Sequence, residues 1–194
     1  MIKLISIASM PIIITYVFWK VNSEKTIYSP KFEIVSKEKS IEIRQYSDIN
    51  IMSTSKELPY KDATYSGFRT LARYIFGNNN RNEEIPMTAP VFTSMPEGEI
   101  INISFVIGEE YQIANMPKPI TNDIIFKKLR LGKVAVIKFG MWATPKKINK
   151  MKMLLEKYLN KNSIDYESEF LVAQYNSPWA VPPFRKNELL VSIK

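Results

Sequence analysis

The sequence predicts an α+β fold: a distorted antiparallel β-barrel made from two ββαββ repeats related by a pseudo-twofold axis, with two helices on its flanks. Three observations carry that reading. Stretches of alternating apolar and polar residues come in pairs along the chain. Two stretches with apolar residues at helical spacing, Lys61–Phe76 and one opening at Thr144-Pro145, fall in corresponding places between those pairs. A loop containing Pro117 and Pro119 divides the series into two equal orders of elements, which share their order rather than their residues. A four-stranded sheet with one helix has more apolar surface than that helix covers, so two such units are expected to pack together.

In the first repeat, Ser40–Tyr46 puts Ile41 and Ile43 on one face and Glu42 and Arg44 on the other. Ile49–Lys56 follows across a short Ser47-Asp48 turn, so the two segments read as a hairpin with Glu42 on its polar side. Lys61–Phe76 gathers Phe68, Leu71, Ala72, Ile75 and Phe76 on one helical stripe, and Gly77 with the asparagines after it supplies the stop. Ile85–Thr93 and Ile100–Ile107 read as two further strands with a turn at Pro96–Gly98, and Pro90 marks an edge or bulge position.

The second repeat runs in the same order. Ile124–Leu131 and Lys133–Phe139 read as a hairpin, and Thr144-Pro145 supplies the cap and first-turn residues of a helix. Ile148, Met151, Leu155, Tyr158 and Leu159 form the buried stripe of that helix, and Glu169–Tyr175 and Glu188–Ile193 close the sheet.

Ahead of the repeats, residues 1–21 form an apolar segment in which Leu4–Trp19 carries no charge, with Lys3 before it and Lys20 after it. At ~1.5 Å per residue such a run crosses the ~30 Å hydrocarbon layer only if untilted. Two readings stay open. Tyr16, Phe18 and Trp19 resemble an interfacial aromatic belt and favour an uncleaved anchor. Val21-Asn22-Ser23 loosely meets the small-residue requirement of a cleaved secretory signal. The protein is therefore expected to be anchored in a membrane or, alternatively, periplasmic or secreted. Residues 22–31 read as a polar linker and 32–194 as one folded domain.

Composition excludes most familiar catalytic machinery. The 194 residues include no His and no Cys, which rules out a Ser-His-Asp triad, a thiolate nucleophile, a zinc finger, an iron–sulfur cluster and any imidazole ligand. Charge is unevenly placed: Lys127, Lys128, Arg130, Lys133, Lys138, Lys146, Lys147, Lys150, Lys152, Lys157 and Lys161 face a single acidic residue, Glu156, in the same stretch. Such a cationic face is either a solvated helix surface or one attracted to an anionic membrane, at ~1 kcal/mol per Lys or Arg near the lipid. Nucleic acid is not expected as a partner, because few aromatic residues interleave the cluster for base stacking.

Three segments taken in order carry a family resemblance: EIRQY at Glu42–Tyr46, GFRTLARYIFGNNN running on to IPMTAPVF between Gly67 and Phe92, and YNSPWAVPPFRKNELLV at Tyr175–Val191. Together they resemble the SOUL haem-binding family over about Phe32–Lys194. The resemblance implies a monomeric two-repeat barrel that binds haem or another tetrapyrrole non-covalently on an apolar surface beside the first helix. It places the ligand-facing helix positions on Tyr65, Phe68 and Ala72, and the facing loop near Trp179–Phe184, including Val181 and Phe184. With no His in the chain, only binding without an imidazole ligand is available, and Ala72, where relatives can carry Met, leaves a shallower surface.

A porphyrin asks for a flat apolar wall and for cations to meet its two propionates. Tyr65 with Trp179 or Phe184 supplies stacking, and Arg69 or Arg73 supplies charge-assisted hydrogen bonds. Phe68, Leu71 and Ile75 also suit an ordinary core stripe. Met87 reads as a core methionine rather than an iron ligand, and Arg185 as a residue that pins its loop by bridging Glu42 or Glu188. The expected function is thus a haem or tetrapyrrole carrier or buffer, not an enzyme. The alternatives are a membrane-surface or protein-interaction module without cofactor, and a small-molecule hydrolase like those found on related effector-binding barrels, with Glu42 or Glu188 and a Tyr as its working groups.

Overall fold

A computed structural model describes residues 27–176 and 180–194; the apolar segment 1–21, residues 22–26 and the stretch 177–179 that contains Trp179 lie outside the described residues. The chain runs β1 (Phe32–Glu38), β2 (Ile41–Tyr46), β3 (Ile49–Lys56), α1 (Tyr60–Ile75), β4 (Val91–Ser94), β5 (Ile101–Val106), β6 (Ile125–Leu129), β7 (Lys133–Phe139), α2 (Pro145–Lys161), β8 (Tyr166–Gln174) and β9 (Asn187–Ile193). Both helices lie where the apolar spacing predicts them. Thr144 caps α2 as expected, its hydroxyl accepting from the Lys147 backbone N–H at 3.3 Å, with Pro145 in the first turn.

The nine strands form one antiparallel sheet in the order β1-β2-β7-β9-β8-β4-β5-β3-β6. With β1 set aside, and β2 matched to β6, β3 to β7, β4 to β8 and β5 to β9, that order reads the same from either end. The two-repeat pattern is therefore written in the hydrogen bonds, with the β4–β8 pairing at its centre.

The pairing corrects both predicted hairpins. β2 does not pair with β3, nor β6 with β7; instead β2 pairs with β7, Arg44 opposite Val134, and β3 pairs with β6, Met52 opposite Phe126. Each repeat lends its first strand to the other half of the sheet. Alternation tells which face a side chain takes, but backbone N–H and C=O groups are alike at every residue and do not name the neighbouring strand.

Both faces of the sheet are buried. One, carrying Ile43, Ile103, Ala135, Val172 and Leu189, packs under both helices, which contribute Leu71, Ile75, Ile148, Leu155 and Leu159. The alternate residues Tyr46, Ile51, Val106, Val134, Val136 and Leu190 form a second core on the helix-free face. A helix-free face closed to water requires the sheet to curl over itself, yet its outer strands β1 and β6 are not paired, so hydrogen bonds do not close it into a barrel.

Other differences have local causes. Ile85–Pro90 is not strand, because Pro86 and Pro90 cannot donate to a ladder, and β4 begins at Val91. β1 carries no inward stripe, since all its residues are exposed, and so leaves no burial pattern to read. Residues 27–31, inside the stretch read as linker, are tied to the domain: the Ala89 N–H donates to the Tyr28 carbonyl at 2.9 Å, and Pro30 is buried.

Candidate functional site

Helix α1 lies close to the sheet because of Gly67: a Cβ there would stand 2.5 Å from Ile103 Cδ1 and 3.0 Å from its Cβ. Leu71 and Ile75 are closed into the core as expected, and half-buried Phe68 meets Phe105 edge-on at 5.2 Å between centroids. The outward face is open, with Tyr65 62% and Phe76 66% exposed. Arg69 and Arg73 are exposed on that side, and the Arg69 guanidinium lies 5.8 Å from the centroid of the Tyr65 ring, one turn away. Among the described residues neither arginine forms an ion pair. Ala72 is only 9% exposed and joins the core, so it contributes floor to this face rather than wall. Phe76, expected in the core stripe, is instead a solvent-facing ring just past the last helical turn, where the chain leaves the sheet. Beyond it lies an open depression of about 360 Å³ lined by Asn80, Arg81, Asn115 and Lys118.

The loop expected to face α1 is described only in part, because Trp179 lies outside the described residues. Val181 and Phe184 are 55% and 56% exposed. Their loop is held to the turn between β7 and α2. The Arg185 guanidinium lies 3.7 Å over the Trp142 ring, its Nε donates to the Ala180 carbonyl at 3.0 Å, and Asn187 Nδ2 donates to the Met141 carbonyl at 2.8 Å. Arg185 thus pins the loop, but through Trp142 and a carbonyl rather than through Glu42 or Glu188. Trp142, 48% exposed, went unread in the sequence because nothing in a turn tryptophan's neighbours announces its stacking partner.

The carboxylates weighed as a hydrolase's working groups are buried, against the expectation that Glu42 faces water. Glu42 is 1%, Glu188 7% and Arg44 0% exposed, on the helix-free face. Arg44 spends four of its five N–H donors on the two carboxylates and the fifth on Tyr46: Nε and Nη2 donate to Glu42 at 2.9 and 2.7 Å, Nη2 and Nη1 to Glu188 at 2.7 and 2.9 Å, and Nη1 to the Tyr46 hydroxyl at 2.9 Å. Lys138 adds a 2.7 Å bond to Glu42, and the Phe32 ring lies 4.0 Å over the guanidinium.

Burial opposes ionisation of Glu42, but the bonds and charges of Lys138 and Arg44 prevail and hold its carboxyl down at about 2. Burial, reinforced by the Glu188 charge, pushes the Tyr175 phenol far up, so it keeps the proton it donates to Glu188 at 2.7 Å. Two carboxylates shared by one saturated guanidinium have no base function left to offer. The sequence missed this cluster because Glu and Arg at alternate positions ordinarily mark a wet strand face.

Among the described residues, no group of three or more Asp or Glu side chains is placed to hold a metal ion. The α1 face is different in kind: exposed rings beside two arginines without carboxylate partners. That combination fits a flat apolar disc with carboxylate arms.

Comparison with known proteins decides the family. Residues 27–192 match the model of the SOUL heme-binding protein family. The chain belongs to the SOUL family. It is 30% identical over 147 residues to Heme-binding protein 2 of Homo sapiens, covering 72% of this chain and 71% of that protein. Two solved structures share the SOUL domain's fold alone. The EcmrR C-terminal domain matches with a TM-score of 0.62 at 8% identity, over 79% of this chain and 96% of that one. A hydrolase from Listeria innocua matches with a TM-score of 0.57 at 8% identity, over 89% and 98%.

Proposed function

We propose that this SOUL domain holds haem or another tetrapyrrole non-covalently against the outward face of α1, as a carrier or buffer that performs no bond chemistry. The observation that carries the reading is the open face itself. The Tyr65 and Phe76 rings and the edge of Phe68 offer apolar contact, and Arg69 and Arg73 remain available for two propionates. Membership of a haem-binding family supports the same ligand class. Val181 and Phe184, exposed on the loop held to the β7–α2 turn, offer in this reading a second apolar patch apart from the α1 face. The hydrolase reading is disfavoured because Glu42 and Glu188 are saturated by Arg44.

Haemin titration followed by Soret shift and tryptophan quenching tests the proposal. Saturable binding at micromolar ligand is expected, weakened by Arg69→Gln and Arg73→Gln; absence of saturable binding discards it.

A second surface supports a membrane-facing role for the same domain. The outward side of α2 exposes Lys146, Lys150, Lys157 and Lys161 around Met153, which is 63% exposed, and Leu154, which is 45% exposed. Cations around protruding aliphatic chains suit an anionic leaflet, and the apolar segment Leu4–Trp19 would tether the domain there. Sedimentation with anionic vesicles at low and high salt tests this arm, which predicts binding that falls with salt.

A further inference from the structure

We propose that Tyr65 is the axial ligand of a ferric haem, its phenolate oxygen taking the place that His or Cys fills elsewhere; this rests on the haem reading above. The case is made by what the α1 face contains. The chain has no His and no Cys. Among the described residues, the two strongly exposed methionines, Met141 and Met153, lie on the β7–α2 turn and on α2, Met87 and Met95 are half-buried and packed against the core, and Met52, Met116 and Met151 are buried. Tyr65 is the only tyrosine among the described residues that is largely open to solvent. Its hydroxyl has no protein hydrogen-bond partner there, whereas Tyr46, Tyr60, Tyr74 and Tyr175 all spend theirs inside the fold.

Ferric iron is a hard acid, and phenolate is a hard anionic oxygen donor that haem proteins are known to use. Arg69 strengthens the case. Its guanidinium lies 5.8 Å from the centre of the ring, where it can meet a propionate of the same ligand. In forming the bond, the Tyr65 O–H gives its proton to bulk water, and Oη donates an electron pair to iron as an axial water leaves. No electron is transferred.

Stacking and ligation by Tyr65 make opposite predictions for Tyr65→Phe, which keeps the ring and removes the oxygen. With haemin, the wild-type protein should show iron–phenolate vibrations in resonance Raman spectra. Tyr65→Phe should lose them and bind haemin ~10-fold or more weakly, while retaining wild-type affinity for iron-free protoporphyrin. A Tyr65→Phe spectrum and haemin affinity equal to wild type would overturn the ligand assignment and leave the tetrapyrrole reading standing. If the wild-type protein takes up neither haemin nor iron-free protoporphyrin, both fall together. Circular dichroism of the variant serves as the folding control, and no change is expected at so exposed a residue.

Discussion

This domain contains two arginine–tyrosine–phenylalanine clusters, and they behave as opposites. Inside the curled sheet, Arg44 is fully closed off, its five donors spent on Glu42, Glu188 and Tyr46, with Phe32 lying over it. On α1, Arg69 rests beside Tyr65 with Arg73 and Phe76 nearby, all four exposed and neither arginine paired with a carboxylate among the described residues. The residue types are the same; what differs is whether the protein itself satisfies the guanidinium. The saturated arginine holds strands together, here β2 to β9, whereas the α1 pair faces solvent and meets a ligand in the proposed reading.

The sharpest way to break that contrast is to remove the inner arginine. Arg44→Met leaves two buried carboxylates without their partner and should cost about 3–5 kcal/mol in urea unfolding. A loss below about 1 kcal/mol would mean that the inner cluster is not the structural one. Next in size is Gly67→Ala, which drives a methyl into Ile103 beneath the open face. Because Ile103 is fully buried and its Cβ is among the close atoms, relief requires moving α1, at a cost of about 1–3 kcal/mol by thermal denaturation.

Acid should separate the clusters as well. The Glu42 carboxyl sits at about 2 in the folded state against an ordinary 4.5, so its contribution to stability is present above that ordinary value and is lost as pH falls toward 2. Melting temperature is expected to drop across that window, and Glu42→Gln should flatten part of the slope. Equal slopes in the two proteins would place the acid sensitivity elsewhere. The smallest effect on stability belongs to the open face: Arg69→Gln with Arg73→Gln should change unfolding by no more than about 0.5 kcal/mol. The same pair should weaken protoporphyrin binding ~10-fold or more, as expected when charge-assisted hydrogen bonds are lost.

Much of the domain was legible in the sequence where one physical signal acts alone. The helices follow from apolar spacing and the Thr144-Pro145 start, and the family from three separated motifs. Strand pairing was not legible, because the short Ser47-Asp48 turn suggests a hairpin although β2 and β3 run to different halves of the sheet. Glu42 and Arg44 alternate with apolar residues as on a wet strand face; Glu188, 144 residues from Arg44, and Lys138, 96 residues from Glu42, make their burial tolerable, and no local pattern announces such distant partners. On α1, the sequence puts Tyr65, Arg69 and Ala72 on the ligand-facing side, and of these Tyr65 and Arg69 are exposed while Ala72 is buried; Phe76 reads as core because periodicity does not show where the helix ends.

The most direct test of the open-face claim is backbone amide chemical-shift mapping of the protein with diamagnetic zinc protoporphyrin. Shifts concentrated on Tyr65, Phe68, Arg69, Arg73 and Phe76 are predicted, with β2 and β9 around Arg44 unmoved. Shifts confined to α2 or to the inner cluster, with α1 silent, would contradict it.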